Sequence, residues 1–252
     1  MSELTGLYAL WLREFKVFLR EPSRIVSSLV QPLMWLLIYG MGLGSIVSVS
    51  ATGTSYQKFI FPGILVMTVL FGSLFFGLYI ILDKRVDFLK EVLVAPLNRS
   101  TIFFGKVLGG STDGIIQVTL LLIFGGLLFG ISFSLYTVVM SYLILILLLI
   151  AVTSLGLTIG AVMESPEGFG LISSFLIFPL FFLSGALFPV SNLPGWLRAI
   201  VVVNPVSYAV DALRTVILGI GGFGLGLDLS VMAAFALIMV LIGTYFFRKM
   251  KI

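Results

Sequence analysis

Leu183-Ser184-Gly185-Ala186-Leu187-Phe188-Pro189-Val190-Ser191-Asn192-Leu193-Pro194-Gly195-Trp196-Leu197-Arg198-Ala199-Ile200-Val201-Val202-Val203-Asn204-Pro205-Val206-Ser207-Tyr208-Ala209-Val210-Asp211-Ala212-Leu213-Arg214 is mostly apolar and follows a long apolar run. It cannot cross a bilayer as one helix. Pro189, Pro194 and Pro205 interrupt it, whereas a spanning helix needs about 20 continuous apolar residues. Broken apolar backbone at membrane depth is tolerated only where protein or a water-filled cavity surrounds it. The segment therefore points to a chain that builds part of a passage or vestibule.

Outward from this segment, composition supports a membrane setting. Sixty per cent of the residues are hydrophobic and 10% are charged, and the mean hydropathy is +1.21. A soluble domain is about 45–50% apolar and about 25% charged. The chain has no Cys and no His, which excludes disulfides, thiolate chemistry, the usual metal ligands and the commonest general base. No short apolar core leading to an Ala-x-Ala-like site is evident near the start, so no cleavable signal peptide is expected.

The pattern predicts an all-α polytopic membrane protein, residues 1–252 forming one transmembrane domain. Six apolar runs are long enough to span: 25–46, 59–82, 106–130, 137–162, 170–188 and 229–247. Before them, residues 2–21 carry Leu4, Leu7, Tyr8, Trp11, Phe15 and Phe18 at three- and four-residue steps, with Arg13, Lys16 and Arg20 on the other side. This predicts an amphipathic helix lying in the membrane interface.

Orientation follows from Lys and Arg. With the N-terminus inside, twelve of the 15 basic residues fall on the cytoplasmic side, and only Lys58, Arg198 and Arg214 fall outside. The net charge of +4 thus reads as topology rather than as a nucleic-acid surface, and no nucleic-acid partner is expected. Both termini are placed in the cytoplasm. If residues 189–218 made a true crossing, the basic tail at Arg248, Lys249 and Lys251 would move outside. A re-entrant element on the outer face, before the last span, keeps the tally.

Several side chains carry narrower expectations. Asp113 in the third span either faces a pathway, pairs with a basic residue such as Lys106, or stays hydrated near the interface. Asp211 and Arg214 are three residues apart on one helical face and are expected to pair in support of the re-entrant turn. Glu164 and Glu167 mark a short cytoplasmic turn. Gly40/Gly44, Gly105/Gly109, Gly126/Gly130 and Gly156/Gly160 have the spacing that lets helices approach closely. Aromatics such as Phe71, Phe75 and Phe175 pack helices or face lipid, and a subset offers ring faces to a sugar or an apolar drug.

The first cytoplasmic connection, 83–101, reads as a short amphipathic helix around Phe88, Leu89, Glu91, Val92 and Leu93, stopped at Pro96. Those apolar side chains need a covering surface, which suggests a cytoplasmic partner. Phe61-Pro62-Gly63-Ile64-Leu65 opens the second span, and Glu91-Val92-Leu93-Val94-Ala95-Pro96-Leu97 with Gly105-Lys106 follows. With the order Leu183-Ser184-Gly185, Phe188-Pro189, Leu193-Pro194, Trp196-Leu197, Asn204-Pro205, Tyr208 and Asp211-Ala212-Leu213-Arg214, the whole chain resembles a permease subunit of the ABC-2 type transporter family.

The resemblance implies a membrane subunit of an ATP-driven exporter in the cytoplasmic (inner) membrane of a prokaryotic cell. A second permease copy, as in a homodimer, and two ABC ATPase subunits would complete it. The N-terminal helix, through Arg13 and Lys16, and the segment of Phe88, Leu89, Glu91, Val92, Leu93 and Pro96 would couple to the ATPases. Pro189, Pro194, Trp196, Asn204, Pro205, Tyr208, Asp211 and Arg214 would build the outer element, and the cargo would be a drug-like, lipid, glycan or glycolipid molecule.

No Gly-x-x-x-x-Gly-Lys-Ser/Thr loop occurs, and Gly105-Lys106 lacks both the upstream Gly and the following hydroxyl. The chain itself is thus not expected to be an enzyme or to hold a cofactor or metal. ATP and Mg belong to the partner. The alternative is an ATP-independent secondary transporter or channel, against which stands the shortage of intramembrane carboxylates.

Overall fold

The computed structural model describes residues 2–43, 55–190 and 193–250. Residues 44–46 of the first expected span, Gly44 of one glycine pair, Ser191 and Asn192 of the broken segment, and the side chain of Leu93 lie outside the described ones.

Eleven α-helices occur among the described residues and no strand: α1 Glu3–Arg20, α2 Pro22–Leu37, α3 Tyr56–Phe75, α4 Leu78–Arg85, α5 Phe88–Val94, α6 Arg99–Phe129, α7 Leu135–Val162, α8 Pro166–Phe182, α9 Gly195–Val203, α10 Pro205–Leu218 and α11 Leu225–Lys249. A π-helical turn, Ile38–Leu43, continues α2. Local chemistry sets many ends. Ser2, Ser134 and Ser165 cap α1, α7 and α8 by accepting from the amides of Thr5, Thr137 and Gly168, each satisfying one of the first-turn N–H groups. Gly130 ends α6 in the left-handed region, φ 58°.

Four helical stretches are long and apolar enough to cross a membrane: Tyr56–Arg85, Arg99–Phe129, Leu135–Val162 and Leu225–Lys249. They match the second, third, fourth and last expected runs. The other two runs appear as shorter apolar helices, Ile25–Gly40 and Pro166–Phe182. The bent pair α9–α10 counts as a fifth crossing only if its two arms are one span.

The stretch of α3 and α4 is the centre of the bundle, 72% buried over its most apolar window. It is apolar on all sides, as a helix surrounded by other helices must be. The corresponding window of α11 is only 17% buried. Leu237, Ile238, Leu241 and Ile242 on α11, with Leu171 and Phe175 on α8, stand exposed, an arrangement suited to hydrocarbon rather than water.

Glycine sets the closest contacts. Gly77, at the break between α3 and α4, lies against the Gly156 carbonyl. A Cβ on Gly156 would overlap the Leu74 carbonyl oxygen, and one on Gly160 would overlap that of Gly77. Gly105 and Gly109 press against Leu10 and Glu14 of α1. Two of the four expected glycine pairs are therefore packing seams. Gly126 and Gly130 are not: Gly126 is in looser contact with Phe133, and Gly130 faces open space.

Candidate functional site

Two ends of the bundle carry polar construction. At the first, α1 lies along the start of α6 and buries Gly6, Leu10, Glu14 and Phe18. Leu4 and Tyr8 of the expected apolar face are 78% and 57% exposed, so they are left for a surface outside the chain. The buried stripe runs at four-residue steps and includes an acid, which a search for apolar positions passes over. Glu14 is there to meet Lys106, which is fully buried. The Lys106 ammonium donates to Glu14 at 2.9 Å and to Asp83 at 2.6 Å. Arg13 joins the same two carboxylates at 2.7 and 3.1 Å, and its guanidinium lies 3.7 Å over the Phe88 ring. Two cations and two carboxylates thus compensate one another where α1, α4 and α6 meet, as buried charges require.

The same end ties down three more helix termini. Lys84 donates to the carbonyls of Gly160, Ala161 and Met163 at the end of α7, at 3.1, 2.8 and 3.2 Å. Arg99 donates to those of Arg248 and Met250 at the end of α11. Both place a cation on unpaired C-terminal carbonyls. Glu3 accepts from the Asn98 amide and side chain. Glu3 and Met250, near the two ends of the chain, therefore both touch the start of α6.

The expected short helix exists as α5 and stops before Pro96. Leu89 is fully buried and Val92 half-buried in the chain's own core, beside Ile102, Phe103 and Val107. Phe88 is occupied by Arg13. Much of the apolar face of α5 is thus covered from within, while Glu91, Val94 and Pro96 stay exposed together with Lys16 on α1. Asp113 is buried in α6, and Lys106, one partner considered for it, is engaged by Glu14 and Asp83.

The opposite end holds the broken segment. α9 and α10 meet at 89°, and the corner is built by Asn204. Its side-chain oxygen accepts from the Val206 amide at 3.0 Å, and its side-chain nitrogen donates to the Leu180 carbonyl at 2.8 Å. Pro205 occupies the first turn of α10, where its missing N–H costs nothing. Tyr208 donates to the Val202 carbonyl across the corner at 2.8 Å. Pro194 precedes α9, Pro189 lies in the turn before it, and Trp196 is exposed.

The expected Asp211–Arg214 pair is not formed among the described residues. Asp211 instead accepts from the amides of Gly222 and Phe223, each at 2.9 Å, and so holds the loop into α11. Arg214 donates to the carbonyls of Gly185 and Ala186 at 3.1 and 3.3 Å and lies 3.9 Å over the Phe59 ring. That turn in turn sits on Gly63, where a Cβ would come within 2.7 Å of Ala186. Phe61-Pro62-Gly63 and the broken segment are therefore one structural unit. The two side chains support the re-entrant turn through backbone groups of neighbouring loops rather than through a direct ion pair.

The sequence is similar to known transport permeases. The ABC-2 type transporter family matches residues 5–218. The chain is 33% identical over 211 residues to the putative transport permease ycf38 of Cyanophora paradoxa, covering 82% of this chain and 72% of the relative. It is 27% identical over 248 residues to the inner membrane transport permease YadH of Escherichia coli strain K12, covering 96% and 91%. It is likewise 27% identical over 226 residues to the daunorubicin resistance ABC transporter permease protein DrrB1 of Streptomyces coeruleorubidus, covering 89% and 79%. Permeases of this kind work with ABC ATPases that are separate subunits. Four long apolar helices, a broken apolar corner and a family match over most of its length make this chain a multi-pass membrane permease subunit belonging to the ABC-2 type transporter family.

Proposed function

We propose that the chain is the membrane subunit of an ATP-driven exporter of the prokaryotic inner membrane, paired with a second copy of itself and driven by two ABC ATPases that hold ATP and Mg. Six crossings place both termini in the cytoplasm, and α9–α10 is a re-entrant element on the outer face. The common position of Glu3 and Met250 at the start of α6 supports an even number of crossings. The contacts of Asn204 with Leu180 and of Arg214 with Gly185 support an excursion that leaves and returns at one end. A drug-like or lipid-like cargo is supported by the relative named for daunorubicin resistance.

The observation that carries this reading is the block of α1, α4, α5 and the start of α6. It is locked internally by the buried charge cluster, yet it presents Val94, 86% exposed, beside Glu91 and Pro96. A rigid block with an apolar tip transmits a push from a docked partner. The chain tagged and purified from its native membrane should bring down an ABC ATPase, and the resulting complex should hydrolyse ATP. A chain that purifies alone and moves daunorubicin into inverted vesicles on a proton gradient without ATP overturns the reading.

A further inference from the structure

A cavity of about 450 Å³ opens between α2, α3 and α6, within the roughly 300–1,000 Å³ of small-molecule sites. Gln117 of α6 contributes to its wall and is 4% exposed. Its side-chain amide makes no hydrogen bond among the described residues, so both its donor and its acceptor are free to face a ligand. A buried polar group without a partner is costly, and here the cavity is the remaining direction for one. Gly72 of α3 makes this placement possible, because a Cβ there would lie 3.0 Å from the Gln117 Oε1. Phe71 and Phe75 supply apolar ring faces, and Gln31 stands at the exposed rim. Among the described residues no charged side chain lines the cavity.

We propose that this cavity binds an uncharged amphipathic molecule. Its amide, hydroxyl or glycosidic oxygen pairs with the Gln117 amide while its apolar part lies on Phe71 and Phe75. A charged head group would lose its hydration and find no counter-ion among the described lining residues, so the site is expected to discriminate by charge as well as by shape. A role as a stop on the export path rests on the transport reading above; binding itself does not, so the test is run without any ATPase.

The absence of native Cys makes a clean reporter available. Ser27 lies at the exposed rim of the cavity, and the Ser27→Cys variant in lipid nanodiscs can be labelled with a maleimide in the presence of amphipaths of matched chain length. Octyl β-glucoside below its micelle concentration should slow labelling, whereas octyl sulfate and octyltrimethylammonium should not. A monoglucosyl diacylglycerol built into the nanodisc distinguishes a lipid ligand from a soluble one. Adding Gln117→Leu should weaken protection about fivefold, the scale of one lost neutral hydrogen bond. Should that variant fail to fold, Gly72→Ala, which displaces the same amide, carries the comparison. Equal protection by all three head groups, no protection by either glycoside, or protection unchanged by both substitutions overturns the proposal.

Discussion

Lys106 shows how much a single buried charge commits the structure. It is fully buried with two carboxylates on it, so Lys106→Met leaves Glu14 and Asp83 with Arg13 as their one cation among the described residues, and Arg13 is one-third exposed. Breaking a buried ion pair in this way costs about 3–5 kcal/mol. The variant should show a clearly lower melting temperature in detergent, and adding Asp83→Asn should restore part of the loss. Asn204 is a smaller case. Asn204→Ala removes both the cap on α10 and the tie to Leu180, for a loss of about 1–2 kcal/mol. Thermal denaturation measures it, and an unchanged midpoint would show that the corner is held by Pro205 and Tyr208 alone.

At the scale of elements, helices touch where glycine permits it. Gly156→Ala places a methyl group on the Leu74 carbonyl, so α7 must separate from α3. A methyl group added at Gly170 on α8 would have nothing within 4 Å, and Gly170→Ala should be neutral or slightly favourable. Fluorescence-detected size exclusion of the two variants should show aggregation or low yield only for the first. Helix α5 divides similarly into two faces. Leu89→Asp buries a charge in the chain's own core and should prevent stable folding. Val94→Asp changes only an exposed tip and should leave the melting temperature unchanged while reducing ATPase co-purification. Undiminished co-purification by the Val94→Asp variant argues for docking elsewhere.

For the molecule as a whole, the basic residues gather at one end by contact, not only by tally. Arg13, Lys84, Arg99 and Lys106 each bond to another helix there. In intact cells the Trp196→Cys variant, at a position 68% exposed on α9, should react with a membrane-impermeant maleimide, while Val94→Cys should react only after permeabilisation. The reverse pattern would invert the topology.

The apolar runs, the proline breaks and the one-sided Lys/Arg distribution were legible in the sequence because each is a local or one-dimensional property: burial length, a locked φ, a count of charges. They were enough for an all-helical membrane protein with a broken segment before the last helix. Tertiary structure alone decided which polar groups meet. Glu14 and Lys106 are 92 residues apart, Gln117 faces a cavity made by three helices, and Asp211 and Arg214 bond to backbone groups of separate loops. A partner across a bundle is chosen by which unsatisfied group lies within about 3 Å, and no periodicity along the chain encodes that distance.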